Sequence, residues 1–379
     1  MKPKIAVITH AFLNPKNPTE LNIGGVETWI LELVRLLTEL GFAPVVYQIS
    51  EQNFTFNFEG AEVVGLGTLD RPKMSQLSHQ DIDSKNIRWI IYASSFIGEK
   101  YCRPGQIFIQ HGIYWDYTTS ERNFFSRWKW EYIRKTLSQI DLGLCRESRL
   151  TIAVDTNFLN FARINLGHRF DPKKIRYIPN FAIPQDKALW QGKWNNPKEI
   201  KVVFARRFEH RRGVNLFIEA LEQVFSSPAK LLVTFAGCGS LSSHLFEKFG
   251  GTPWVKIEKI PHNKIYGLLN QSHIAVVPSI YSEGTSFSCL EAMASGCAVI
   301  ASDVGGLCNI VLPDYNGLLV RPIATEIAFS IESLTEDIHR TETLAKRGYD
   351  MASNSFSLSM WRQRVRQALC EVGILNQLM

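Results

Sequence analysis

The chain has 379 residues, 45% of them hydrophobic, and a formal net charge of +6, too long for one typical core and comfortable for two domains. That charge suits an anionic ligand or an anionic membrane surface and is too small by itself to argue for nucleic acid. No apolar run is long enough to span a bilayer, the first residues do not read as a signal peptide, and the seven scattered cysteines are expected to be free thiols in a reducing, cytoplasmic compartment.

In chain order, Lys4 to His10 reads as a short buried strand. A Pro- and Asn-rich loop ends in Asn22-Ile-Gly-Gly-Val-Glu27, after which apolar positions 26, 29, 30, 33, 36, 37 and 40 mark a helix stopped by Gly41. Val45 begins the next strand, and strand–helix–strand at this spacing predicts right-handed parallel βαβ units. Gly24 and Gly25 remove side chains where a phosphate or sugar would approach backbone amides, although a Gly-Gly pair before a helix is often only a turn. Neither the dinucleotide fingerprint Gly-x-Gly-x-x-Gly nor a P-loop occurs.

Further strands are expected over 88–93, 106–110, 150–154 and 175–178. Asp81-Ile-Asp83 matches a metal-binding Asp-x-Asp pattern, but it lies in a polar segment before a strand and reads as a solvated loop; no catalytic metal and no cofactor is expected. His111, in Gln110-His-Gly-Ile-Tyr-Trp-Asp116, follows a strand and is placed at its carboxyl end. Residues 122–135 carry five cations against one carboxylate. They read either as a helix lying on an anionic membrane or as a core helix with a basic edge, since Phe125, Trp128 and Tyr132 share one face.

Pro179 to Pro184 and the polar stretch to Lys198 are expected as a linker. A second set of elements then begins with a strand over 200–205, a helix over 214–224 and strands near 231–236 and 254–257. Four arginines, 206, 207, 211 and 212, stand between that first strand and its helix. One guanidinium can bind two phosphate oxygens, and two can neutralise a diphosphate. After the apolar run from His273 come a loop carrying Glu283, a helix carrying Glu291 and another strand. In an open parallel sheet such a loop sits where ligands bind, and the amides of Gly284, Thr285 and Ser286 can point at an anion at the helix start. A last helix is expected from about 358 to 370.

Glu283 and Glu291 with seven residues between them, flanked by Tyr281-Ser-Glu-Gly, Leu290-Glu-Ala-Met-Ala-Ser-Gly and Asp303-Val-Gly-Gly, resemble the retaining glycosyltransferases of family 4. That resemblance implies the GT-B fold, two α/β Rossmann-like domains with parallel sheets facing a central cleft. The acceptor-binding domain would span 1–182, with a C-terminal helix at 356–379 packing back on it, and the donor-binding domain 183–355. It implies that Glu283 holds the transferred sugar and that Glu291 binds ribose hydroxyls. Arg207 and Arg212 would hold the diphosphate, and Thr285, Ser286 and Phe287 would donate backbone N–H groups beside Gly284. His111 would contact the donor sugar, Gly24 and Gly25 would form the N-terminal loop, and Ile260 would meet the base. The resemblance further implies transfer by front-face attack with the leaving phosphate as base, so that neither glutamate would be a nucleophile.

Two positions depart from the family pattern: Arg212 stands where Lys is usual, and Asn309 where Glu is common. The expected activity is transfer of a hexose from a UDP- or GDP-sugar to a glycan or lipid-linked acceptor, in polysaccharide or glycoconjugate synthesis. The site would be cytoplasmic, with 122–135 as a possible membrane contact. The rivals are a sugar-nucleotide epimerase and a non-catalytic sugar-nucleotide-binding subunit.

Overall fold

A computed structural model describes residues 2–22, 24–94, 103–112, 124–224 and 231–378, with the backbone only at 124–127, 224, 377 and 378. The expectations for 113–116, 122 and 123 lie outside the described residues. The chain divides into two units, one of residues 1–178 with 362–379 and one of residues 179–361.

In the first unit, β1 (Lys4–Ile8) leads to a short hairpin, β2 (Leu13–Asn14) with β3 (Asn17–Leu21), inside the segment expected as loop. Then come α1 (Gly25–Glu39), β4 (Ala43–Gln48), β5 (Asn53–Phe58), β6 (Ala61–Leu66), α2 (Arg71–Ser84), β7 (Trp89–Tyr92) and β8 (Ile107–Gln110). α3 (Phe124–Glu147), β9 (Leu150–Ala153), α4 (Thr156–Leu166) and β10 (Ile175–Tyr177) follow. The sheet runs β10-β9-β8-β7-β1-β4-β6-β5. Every neighbouring pair is parallel except the edge pair β5 and β6, which is antiparallel.

α1 buries Trp29, Ile30, Leu33, Leu36 and Leu37 on the face that its periodicity marks, and also Glu32. That carboxylate is paired by Arg35 and by Arg362, which also reaches Glu39; this is how the end of the chain is tied to α1. Asp81 and Asp83 lie in α2, correcting their assignment to a loop. Asp81 accepts from Tyr47 Oη and pairs with Lys85, and Asp83 pairs with Arg103. Both carboxylates are occupied structurally.

The second unit contains β11 (Ile200–Ala205), α5 (Val214–Val224), β12 (Leu231–Ala236), α6 (Ser242–Phe249), β13 (Val255–Glu258), α7 (Ile265–Gln271) and β14 (Ile274–Val277). α8 (Phe287–Ala294), β15 (Ala298–Ser302), β16 (Leu318–Val320), α9 (Ala324–Glu336) and α10 (Ile338–Ser355) follow, and α11 (Leu358–Glu371) leads out of it. Its sheet is wholly parallel, in the order β13-β12-β11-β14-β15-β16. The near-continuous apolar strands β11, β14 and β15 are buried because helices cover both faces.

The expected linker belongs to this unit. Ala182 N–H donates to the Phe356 carbonyl, and Trp190 and Trp194 are buried in the core beside Ile200 and Val202. Two indoles hidden among lysines and asparagines made that stretch read as polar. The division therefore falls at 178/179 and 361/362, not at 182/183 and 355/356.

Candidate functional site

The strand order of the second sheet reverses between β11 and β14: the chain builds outward from β11 through β12 and β13, then returns to place β14 on the other side. Loops leaving such adjacent strands at their carboxyl ends diverge, and a ligand crevice forms there. Here the two loops are 206–213 and 278–286. They approach closely at Gly213, whose φ is +78° and where a Cβ would stand 1.7 Å from the Pro278 carbonyl oxygen. Only glycine fits such a turn against such a neighbour.

Across this junction two guanidiniums converge on one carboxylate. Arg206 Nη2 donates to both oxygens of Glu283, at 2.6 and 2.7 Å, and its Nη1 donates to Ser279 Oγ at 2.7 Å. Ser279 Oγ in turn donates to Glu283 Oε1 at 2.6 Å, and Arg212 Nη1 donates to Glu283 Oε2. Burial opposes ionisation of Glu283, but the charges of Arg206 and Arg212 with the Ser279 hydrogen bond outweigh it and hold its pKa down at about 2. Glu283 is thus a fixed anion at neutral pH.

The sequence pointed to Arg207 and Arg212 as the pair of cations, and the pair on Glu283 is Arg206 and Arg212. Arg207 is turned outward, its side chain half exposed, with Nη1 3.4 Å from Glu209 Oε1. Arg211 also pairs with Glu209. Arg206 and Ser279 were missed. The available signal was that four arginines follow one strand; the acid that buries one of them lies 77 positions away.

Beyond Glu283, Gly284, Thr285 and Ser286 are buried and lead into α8, with Ser286 at its N-cap making no side-chain cap hydrogen bond. The first turn of a helix leaves N–H groups without intrahelical partners, which favours an anion there. The loop is clamped from below: Gly306 N–H donates to the Glu283 carbonyl at 2.7 Å, and a Cβ on Gly306 would meet the Gly284 carbonyl carbon at 2.5 Å. Phe287 packs edge-on against Phe181.

Glu291, one turn along α8, is buried. Its Oε1 lies 3.3 Å from His262 Nε2, and this bond raises the His262 pKa although burial works against it. Ile260, two residues before His262, is half-buried against the core that includes α8. Glu283, Glu291, Arg212, Gly284, Thr285, Ser286 and Phe287 are therefore grouped at one end of the second sheet, with Ile260 and His262 bordering Glu291.

In the first unit, Gly24 is the N-cap of α1 and Gly25 its first residue. Glu27 folds back over this end, accepting from Asn22 Nδ2 at 3.1 Å. Trp29, one turn on, packs edge-on against His111 with ring centroids 5.5 Å apart. Burial pulls the His111 pKa down to about 4, so it is neutral at physiological pH. Its Nε2 has no hydrogen-bond partner among the described residues.

Elsewhere in that unit, α3 buries Leu142, Leu144 and Cys145 in the core towards its end and is exposed nearer its start. Trp128 and Tyr132 are stacked on one another and exposed, at 61% and 65%. Among the described residues no group of three His, Cys, Asp or Glu side chains could hold a metal ion, and no helix is long and apolar enough to cross a membrane. The six described cysteines are free.

Residues 186–351 match the model of the family described as Glycosyl transferases group 1. An alpha-maltose-1-phosphate synthase of Mycolicibacterium smegmatis is 30% identical over 228 residues, covering 52% of this chain and 56% of that one. The chain spans about half the length of the curated relatives it matches. Among solved structures, a sucrose-phosphate synthase from Thermosynechococcus elongatus aligns over 98% of this chain and 99% of its own, with a TM-score of 0.78 at 18% identity. HepE of Anabaena, solved in complex with UDP-glucose, aligns over 97% of this chain and 99% of its own, with a TM-score of 0.70 at 17% identity. These likenesses show the fold, which is GT-B.

Proposed function

Taking residues 186–351 as a glycosyl transferases group 1 domain on a GT-B chain, we propose that this protein is a retaining glycosyltransferase. It moves a hexose from a UDP- or GDP-sugar to a glycan or lipid-linked acceptor. The observation that carries the reading is the meeting of Glu283 with Arg206 and Arg212 beside the start of α8, at the switch point of a doubly wound sheet. That is where a site needs cations for a diphosphate and a carboxylate for sugar hydroxyls.

In this reading Arg207, Arg212 and the N–H groups of 284–287 hold the diphosphate. Glu283 takes hydroxyls of the transferred sugar, and its fixed negative charge favours the positive charge that develops at the anomeric carbon. Glu291 takes the ribose hydroxyls, with Ile260 next to the base. His111, neutral, is the first unit's contact for the donor sugar. The bond from the anomeric carbon to the phosphate oxygen breaks, and the acceptor oxygen bonds to the same face of that carbon. The acceptor's proton passes to the departing phosphate, which serves as base, so no protein nucleophile, metal or cofactor enters the step.

A UDP-sugar donor is supported by the UDP-glucose held by the structurally similar HepE. A lipid-linked acceptor is supported by α3, which exposes Trp128 and Tyr132 beside Lys129 and Lys135. Stacked exposed aromatics with flanking lysines suit an anionic membrane face.

A melting screen across UDP- and GDP-sugars tests the reading, because a ligand bound by the native state raises its stability. The expected result is a higher Tm with sugars of one base. No shift with any of them would overturn it.

A further inference from the structure

The groups around Glu283 differ in what they can reach. Arg206 leaves β11 into the interior with its side chain only 3% exposed. Its hydrogen bonds are all spent inward, on Glu283 and on the Ser279 hydroxyl, which donates to the same carboxylate. Arg212 is different: it stands on the turn that opens α5, is 23% exposed, and touches Glu283 through Nη1 at Oε2 alone. One cation is walled in, and the other faces the ligand side. Two further titratable groups face them: Cys289, from α8, whose thiol burial pushes up so that it stays protonated, and Glu209, whose carboxylate is held down, against burial, by its hydrogen bond to Arg211 and by the charges of Arg211, Arg207 and Arg212.

We infer that Arg206 is a positioning residue that, with Ser279, keeps the Glu283 carboxylate oriented at all times, while Arg212 is the exchangeable cation that leaves Glu283 for the donor's diphosphate. The exchange frees a lone pair on Oε2 for a sugar hydroxyl without leaving the carboxylate unpaired. A single cation could not both hold the carboxylate and follow the phosphate. A buried anion stripped of both partners would be strongly disfavoured. The inference rests on the transferase reading, and it gives a specific job to a residue that contacts no ligand.

The test compares Arg206→Lys and Ser279→Ala with Arg212→Met. Calorimetry gives affinity for UDP and GDP, and steady-state transfer gives kcat and KM across pH. Arg206→Lys is expected to keep UDP and GDP affinity within about threefold while lowering kcat about tenfold or more. The acid limb of kcat should move to higher pH, because that limb reports groups in the loaded enzyme. Ser279→Ala should move the same limb less far. Arg212→Met should lose about tenfold or more in nucleotide affinity with the limb in place.

Loss of UDP and GDP affinity in Arg206→Lys equal to that in Arg212→Met would overturn the inference, as would an unmoved acid limb. If the wild-type protein binds UDP or GDP and transfers nothing, the transferase reading fails. The inference is then read from carbon-13 titration of the Glu283 carboxyl with UDP bound, whose pKa should rise in Arg206→Lys and not in Arg212→Met. The opposite order overturns it.

Discussion

Asn180 and Thr285, 105 positions apart, are joined twice: the Asn180 backbone N–H donates to Thr285 Oγ1 at 2.6 Å, and its side-chain amide donates to the Thr285 carbonyl. Thr285 is wholly buried. The segment by which the chain enters the second unit therefore braces the loop that leads into α8. Asn180→Ala removes the side-chain bond to a buried carbonyl, so unfolding in urea should show a loss of roughly 1–3 kcal/mol. UDP and GDP affinity should fall with it, because the N–H groups of 284–287 lose their fixed aim.

Arg207 is half exposed and pairs with Glu209 within its own loop. Arg207→Ala should therefore change stability by no more than about 0.5 kcal/mol. Affinity for UDP and GDP should drop by about tenfold, as expected when a charge-assisted phosphate contact is removed. Unchanged calorimetric affinity removes Arg207 from the diphosphate site.

His262 holds Glu291, and on the proposed reading a ribose displaces it to reach that carboxylate. Its pKa is raised by the pairing, so the stabilisation it contributes is fully present below its unfolded value and is lost as pH rises through the folded one. Protonated His262 competes best. Affinity for a UDP-sugar, whose diphosphate diester does not titrate here, should improve by about threefold to tenfold from about pH 6 to about pH 8. His262→Ala should flatten that dependence, and an equally steep slope in the variant would show that the group responsible is another.

The exposed pair Trp128 and Tyr132 should carry membrane contact. Co-sedimentation with phosphatidylglycerol vesicles should fall at least about fivefold for the double variant Trp128→Ala, Lys129→Glu, since about 1 kcal/mol accompanies each basic residue near such a surface. Equal binding by wild type and variant would leave α3 without a membrane role.

Strands such as β11 and β14 were legible because each is a short apolar run buried on both faces, and α5 because its stripe starts just after Gly213; the parallel strands β6 and β16 were not expected. β5 was not: Asn53-Phe-Thr-Phe-Asn-Phe58 alternates as a half-exposed edge strand does, but its asparagines also read as turn. The two glutamates could be found from their spacing together with the flanking Tyr281-Ser-Glu-Gly, Leu290-Glu-Ala-Met-Ala-Ser-Gly and Asp303-Val-Gly-Gly. Arg206 could not be told from its three neighbours, because what distinguishes it is a partner supplied by a distant loop. Trp190 and Trp194 were hidden for the same reason, since burial depends on where a segment docks.

The most direct test supplies labelled UDP- and GDP-hexoses to the wild-type protein and to Glu283→Gln, with and without a membrane lipid extract as acceptor. The account predicts acceptor-dependent transfer from donors of one base by the wild type, slowed about a hundredfold or more in Glu283→Gln. Epimerised donor without acceptor, donor binding with no turnover, or an undiminished rate in Glu283→Gln would contradict it.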